Sequence, residues 1–287
     1  MTSRTATLIG LTAILMWSLL SVMTVATGAI PPFQLMAMTF GIGAAASFAV
    51  RPAARQALRQ PWRASIVGIG GLFGYHALYF VALRLAPPAE TSLLCYLWPL
   101  LIVLFSSLLP GERLKPHHVI GALLGLVGTT MLLSGNIDLS ATSSQLMGFA
   151  AALAAAFVWA GYSVLSRRFK DVPTDAVAGY CANTALLAFI VHRFTEVSVW
   201  PSGALAWAAV IALGLGPVGA AFFAWDIGMK RGDIRVLGAA SYATPLLSTA
   251  FLILAGFAQA SANIAVAAAL IAGGGLIAAK DMIWKRG

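Results

Sequence analysis

Between Ala6 and Thr27 the chain sets twenty-two residues in a row without one charged side chain. Runs of this kind recur along its length and decide what it can fold into. A helix needs about 20 apolar residues to cross the hydrocarbon core of a bilayer. Ten intervals qualify: 6–27, 33–50, 64–83, 89–109, 117–134, 146–166, 174–192, 204–225, 235–256 and 262–279. Short connections marked by Pro31-Pro32, Pro87-Pro88, Pro110-Gly111, Pro173 and Pro201 separate them, and none has room for a soluble domain. Charged residues make up only 9% of the chain, against about a quarter in a soluble domain. The reading is an all-α integral membrane protein with ten transmembrane helices. The first run exceeds the usual signal-peptide core of about 7–15 residues and is read as a retained span.

The pI of about 10.1 does not point to nucleic acid, because the bases cluster between the apolar runs. Sixteen of the eighteen Lys and Arg residues fall on one side of a ten-span topology; Arg84 and Arg193 alone fall on the other. The positive-inside rule therefore predicts cytoplasmic amino and carboxyl termini in a bacterial-type inner membrane. The segment RPAARQALRQPWR reads either as a surface-lying amphipathic helix or as an ordinary basic loop. Cys95 and Cys181 both sit inside apolar runs and read as small buried hydrophobes, with no disulfide and no metal.

The sequence CYLWPLL (95–101) is echoed by SYATPLL (241–247). A shift of 146 lays Tyr96, Pro99, Leu100 and Leu101 on Tyr242, Pro245, Leu246 and Leu247, and Arg84 on Lys230. A shift of 142 lays WSLLSV (17–22) on WAGYSV (159–164). Two halves follow, 1–140 and 141–287, with five spans each. An odd span count makes the second half enter the membrane from the opposite side. Inverted repeats of this sort build secondary transporters, which bind substrate near the midplane.

The run AETSLLCYLWPLL, followed by PGERLKPHHVIGALLGLVGTTMLL, resembles the fourth and fifth helices of EamA-type carriers of the drug/metabolite transporter superfamily. The matching marks are the proline within the fourth helix, the Gly-Glu-Arg-Leu turn at 111–114 and the glycine-rich helix after it. The second half departs from the pattern, since GFAQASAN lacks the Gly-Glu turn. Within the superfamily the aromatic content of the spans most resembles the aromatic amino acid exporters. The resemblance implies export of aromatic or other apolar amino acids from the cytoplasm, by alternating access through a central cavity. It also implies that spans 1, 3, 4, 6, 8 and 9 surround that cavity, with 5 and 10 peripheral.

Several residues qualify for the cavity. Tyr75, His76 and Tyr79 share a face of the third span at helical spacing. Histidine within a span is costly unless it faces protein or water. In the fourth span Ser92, Tyr96, Pro99 and Val103 make one face, and Pro99 deletes the donor to the Cys95 carbonyl and bends the helix. The ninth span repeats this with Tyr242 and Pro245, flanked by Ser241 and Ser248, which makes Tyr96 and Tyr242 walls or gates of one cavity. Helical spacing turns Trp98 off that face, although it stays in the candidate set beside Pro99. Trp17 and Trp159 sit mid-span as repeat partners, with packing and cavity roles both open, and Tyr162 extends the Trp159 face. Phe222, Phe223 and Trp225 form a patch that reads either as cavity or as lipid-facing filler.

Gly121, Gly125 and Gly128, and Gly273 to Gly275, read as close helix packing within a monomer. No GxxxxGK[ST] is present, so ATP is not the direct energy source and no cofactor is implied. Neither Glu90 nor Asp226 falls at the midplane of its span, which favours facilitated or exchange transport over proton antiport. A broader metabolite or drug exporter is the alternative within transport. An intramembrane enzyme would need convergent ligands, and His117-His118 beside Glu112 lacks the HExxH spacing. A channel would show a charge ring or a carbonyl filter, and neither is visible.

Overall fold

The computed structural model describes residues 1–111, 113–133, 142–254, 256 and 262–283. Among them every regular element is a helix: α1 (Ser3–Ser18), α2 (Leu20–Ala26), α3 (Pro32–Val50), α4 (Pro52–Gln56), α5 (Trp62–Leu85), α6 (Pro88–Cys95), α7 (Trp98–Ser106) and α8 (Pro116–Leu133), then α9 (Ser143–Ser166), α10 (Ala176–Thr195), α11 (Gly203–Leu215), α12 (Ala221–Arg231), α13 (Ile234–Ala240), α14 (Ala243–Leu254), α15 (Ala262–Ala278) and α16 (Lys280–Ile283). Six continuous helical stretches are long and apolar enough to cross a membrane: Ser3–Ala26, Pro32–Val50, Trp62–Leu85, Ser143–Phe169, Ala176–Thr195 and Gly203–Arg231. Glu90–Ser106 and Ala262–Ala278 are shorter apolar helices. Leu15, Ile66, Phe157, Phe189 and Leu276 stand exposed on the outside of the bundle, where lipid rather than water suits them. Glu112, the 134–141 connection, residues 257–261 of GFAQASAN, and Lys285 and Arg286 lie outside the described residues.

Local chemistry sets the helix ends. Pro32, Pro52, Pro88 and Pro116 each open a helix, where a missing N–H costs nothing. Thr142 and Gln145 close a reciprocal capping box on α9. Pro31 can offer α3 no side-chain cap, and the role passes to a residue 165 positions further along the chain. The Glu196 carboxylate accepts the backbone N–H groups of Phe33 and Gln34, both at 3.1 Å, and also holds Arg84 at 2.7 Å.

Four helix pairs carry most of the lateral packing: α8 with α15, α5 with α9, α3 with α10, and α1 with α12. Small residues let them approach. A Cβ on Gly121 would stand 2.5 Å from the Gly274 carbonyl, and one on Gly228 would stand 2.8 Å from the Gly10 Cα. Of the three consecutive glycines on α15, only Gly274 takes part in this contact; Gly273 and Gly275 face open space.

Basic residues tie together the connections at one end of the bundle. Arg51 pairs with Asp175, Lys115 with Asp281, Arg167 donates to the Met229 and Gly232 carbonyls, and Arg235 donates to the Arg113 carbonyl. RPAARQALRQPWR belongs to this end. Its residues form the short α4, docked on the protein through buried Ala54 and Ala57, and from Trp62 the first turn of α5, so any helix of its own is confined to Pro52–Gln56.

Candidate functional site

The chain is interrupted where its prolines fall. α6 and α7 are separated by Tyr96 and Leu97, and α13 and α14 by Ser241 and Tyr242. Pro99 and Pro245 each sit in the first turn of the second half-helix, among backbone positions that lack an intrahelical donor partner in any case. A third irregularity is a π-helical turn at Gly216–Ala220. Such wider turns loosen the regular ladder, and here the Pro217 carbonyl accepts the Trp17 indole N–H at 3.0 Å.

A cavity of about 240 Å³ lies among these interruptions, small beside the roughly 300–1,000 Å³ of ordinary ligand pockets. Trp17, Trp98, Trp159 and Phe222 form one side of it. Trp159 lies 5.6 Å from Trp17 and 6.2 Å from Trp98, both edge-on, and 5.9 Å from Phe222. Trp225 backs these rings from a fully buried position, its N–H donating to Ser163 Oγ at 3.1 Å. Edge-on and offset pairs of this kind contribute roughly 0.5–1.5 kcal/mol each beyond area burial, so the wall is held in one arrangement without a ligand.

The polar side comes from α5, the 96–97 break and α14. Tyr75 and Tyr79 stack at 6.1 Å; the Tyr79 hydroxyl is 3.0 Å from Ser92 Oγ, and the Cys95 thiol points at the Tyr75 hydroxyl at 3.6 Å. His76 Nδ1 lies 2.6 Å from the Leu72 carbonyl. A carbonyl only accepts, so Nδ1 carries the proton, and Nε2 of the neutral ring keeps its lone pair. Ser248 donates to the Ser18 carbonyl at 2.8 Å, and the Thr244 hydroxyl is buried with no partner among the described residues. Among the described residues, no Asp, Glu, Lys or Arg lines the cavity.

The wall thus brings together Trp17, Tyr75, His76, Tyr79, Tyr96, Trp98, Trp159 and Ser248 from the sequence-derived set. Trp98 lines the cavity although helical spacing turns it off the Tyr96 face, and the two residues stand on either side of the start of α7. Phe222 is on the wall, while Phe223 turns to the basic end beneath Arg51. Five candidates are elsewhere. Pro99 and Pro245 shape the breaks without reaching the cavity. Ser241 is satisfied by the Leu237 carbonyl at 2.7 Å.

Tyr242 does not line the cavity in this structure. It is fully buried against the α8 glycine face, where a Cβ on Gly125 would meet its ring at 2.5 Å. Its hydroxyl accepts the Leu100 N–H at 3.2 Å. Tyr162 lies under Trp159, toward the basic end.

Sequence reasoning missed Leu20, Cys95 and Thr244 as lining residues. Thr244 carried a usable signal, since the shift of 146 lays it on Trp98. The repeat-related pair that both reach the cavity is therefore 98 and 244. In the same frame Gly125 falls on Ile271, so the notch that receives Tyr242 has no counterpart for Tyr96.

One further cluster has the side chains of a metal site. His117, His118 and Asp281 hold their ligand atoms within 4.8 Å of one another. The His118 Nδ1 lone pair already accepts the Lys115 N–H at 3.2 Å, which leaves the proton on Nε2. The Lys115 ammonium also neutralises Asp281. The set is better matched to its own lysine than to a cation.

A model of the EamA-like transporter family matches residues 4–134. The aromatic amino acid exporter YddG of Ancylobacter novellus is 56% identical over 282 residues, covering 97% of this chain and 98% of that protein. The chain belongs to the EamA-like transporter family. A second relative, the aromatic amino acid exporter YddG of Salmonella typhimurium, is 27% identical over 267 residues, covering 87% of this chain and 88% of that one. A solved crystal structure at 56% identity superposes with a TM-score of 0.91 over 96% of this chain and 98% of its own. EamA membership and the six apolar helices make this a multi-pass inner-membrane protein. Membership of a transporter family also sets aside the intramembrane-enzyme alternative.

Proposed function

We propose that this EamA protein exports aromatic or similarly apolar amino acids by alternating access, with the 240 Å³ cavity as its binding site. The observation that carries the reading is the wall itself: four large rings on one side, a histidine and tyrosine hydroxyls on the other, and no formal charge from a carboxylate, ammonium or guanidinium. Such a surface rewards a flat apolar ring and offers hydrogen bonds to an indole N–H or a phenol. The 56% identical relative from Ancylobacter novellus is named an aromatic amino acid exporter, which supports the reading. Trp17, Tyr75, His76, Tyr79, Tyr96, Trp98, Trp159, Thr244 and Ser248 are the proposed contacts.

Ten spans in two inverted halves, 1–140 and 141–287, complete the proposal, with α6–α7 and α13–α14 each read as one broken span. The pairing of helices supports it. Exchanging the halves turns the α5–α9 pair into the α12–α1 pair and maps α8–α15 and α3–α10 onto themselves. Positive-inside then puts the basic end, and both termini, in the cytoplasm.

Purified protein in proteoliposomes should move labelled tryptophan and phenylalanine above the rate of empty liposomes, by facilitated or exchange transport that needs no pH gradient. No amino acid flux across a full substrate panel would sink the substrate assignment. Flux confined to unrelated drugs would favour a broad exporter.

A further inference from the structure

The helices that carry the aromatic wall also line a second, far smaller cavity. α5 brings Val67 and Gly68 to it, α9 brings Tyr162 and Ser166, and α12 brings Asp226 and Lys230. Phe222, Asp226 and Lys230 follow one another at four-residue intervals and so share a face of α12, about 6 Å apart per step at 1.5 Å per residue. Trp159, Tyr162 and Ser166 share a face of α9 at intervals of three and four residues, and Gly68 and Tyr75, seven residues apart, share a face of α5. The small cavity therefore continues the large one toward the basic end along the same three faces. Only about 10 Å³ is free in it, space for one water. The Tyr162 ring, seated against Gly71, stands between the two.

Its chemistry is the complement of the wall above. Lys230 Nζ lies 2.9 Å from Asp226 Oδ1, with the two side chains 4% and 2% exposed. Nζ also donates to the Val172 carbonyl at 2.9 Å, and Thr174 donates to Asp226 Oδ2 at 2.7 Å. An ammonium has three donors, and these contacts use two of them. The Tyr162 hydroxyl, 95% buried by residue and lining the same space, has no hydrogen-bond partner among the described residues. A buried hydroxyl left empty-handed beside an ion pair is costly unless the site exists to receive another polar group.

We propose that Asp226, Lys230 and Tyr162 form a headgroup site for the α-amino acid zwitterion in the cytoplasmic half of the pathway. With that half open, the substrate carboxylate takes Lys230 and the Tyr162 hydroxyl, and its ammonium takes Asp226. When the substrate moves on, the two side chains pair with each other, so neither is left as a bare buried charge. This rests on the amino acid transport proposed above, and it supplies the charged groups that the aromatic cavity lacks.

The test is binding of labelled phenylalanine to purified protein, competed with phenylethylamine, which lacks the carboxylate, and 3-phenylpropionate, which lacks the ammonium. Wild-type protein should prefer phenylalanine at least about tenfold over either analogue. The double variant D226N/K230M leaves no unpaired charge and should melt as wild type does. It should either lose both preferences or bind phenylalanine at least about tenfold more weakly. Tyr162→Phe should weaken phenylalanine and 3-phenylpropionate but not phenylethylamine. A double variant that folds, binds phenylalanine as tightly as wild type and rejects both analogues as strongly would overturn the headgroup site alone. Wild-type protein that neither binds nor moves any aromatic amino acid would overturn the transport reading itself, and the headgroup site with it.

Discussion

Tyr242→Phe is the substitution that most directly separates scaffold from site. Pro99 removes one donor from the first turn of α7, and the Leu100 N–H just after it has the Tyr242 hydroxyl as its acceptor at 3.2 Å. Phenylalanine keeps the ring, so the notch at Gly125 stays filled and no cavity forms. What is lost is one hydrogen bond to a backbone N–H inside the bundle, a loss of about 1–3 kcal/mol when the group is left unsatisfied. Tyr96→Phe alters the repeat-related residue, whose ring lines the cavity, and a surface change without a buried partner usually stays within about 0.5 kcal/mol. Equilibrium unfolding of the detergent-solubilised protein, read by tryptophan fluorescence, should place Tyr242→Phe below wild type by the larger amount and Tyr96→Phe close to it. Phenylalanine binding should shift the other way, weakened by Tyr96→Phe and nearly unchanged by Tyr242→Phe. The reasoning is refuted if Tyr242→Phe unfolds like wild type and yet fails to bind.

Gly121→Leu should lower the free energy of unfolding by about 1–3 kcal/mol through overpacking, because the Gly274 carbonyl already occupies the space its side chain needs; binding measured under conditions where the variant stays folded should survive. Thr244→Val removes a buried hydroxyl that has no partner among the described residues, so stability should hold or rise while affinity for phenylalanine falls, a pairing that melting curves and binding isotherms read together. Asp233 gives a pH signature. Burial pushes its carboxyl up, but the Arg235 guanidinium and the Arg235 and Val236 N–H groups outweigh that and hold it below the ordinary range. Its contribution should be complete above the unfolded value of about 3.9 and vanish as pH falls through the depressed folded value; Asp233→Ala should remove that acid-limb loss from a stability–pH curve.

Hydropathy made the apolar helices legible, and the prolines marked both interrupted segments, since each effect is local to a few residues. Trp17 and Trp159 were legible through the internal echo. What escaped depended on partners far along the chain. Trp98 lines the cavity together with Tyr96 across the interruption between α6 and α7, a departure from the regular ladder that a wheel drawn through residues 88–106 does not contain. Tyr242 and Tyr96 read alike in sequence, and they part company because Gly125 makes room for one while Ile271 stands at the matching position for the other. Likewise, nothing near Pro31 announces that Glu196 will cap α3.

The uncharged cavity wall has a further consequence for what the protein refuses. A side chain entering it gives up water and meets no counter-ion, and for an ionised carboxylate or ammonium that loss amounts to several kcal/mol. A phenyl or indole ring meeting the same surface gains roughly 25 cal/mol per Å² of apolar area covered. Glutamate and lysine would therefore be turned away by the absence of a partner rather than by any obstruction. A single Asp or Arg introduced on this wall, as at Leu20, should convert rejection into admission for cargo of the opposite sign.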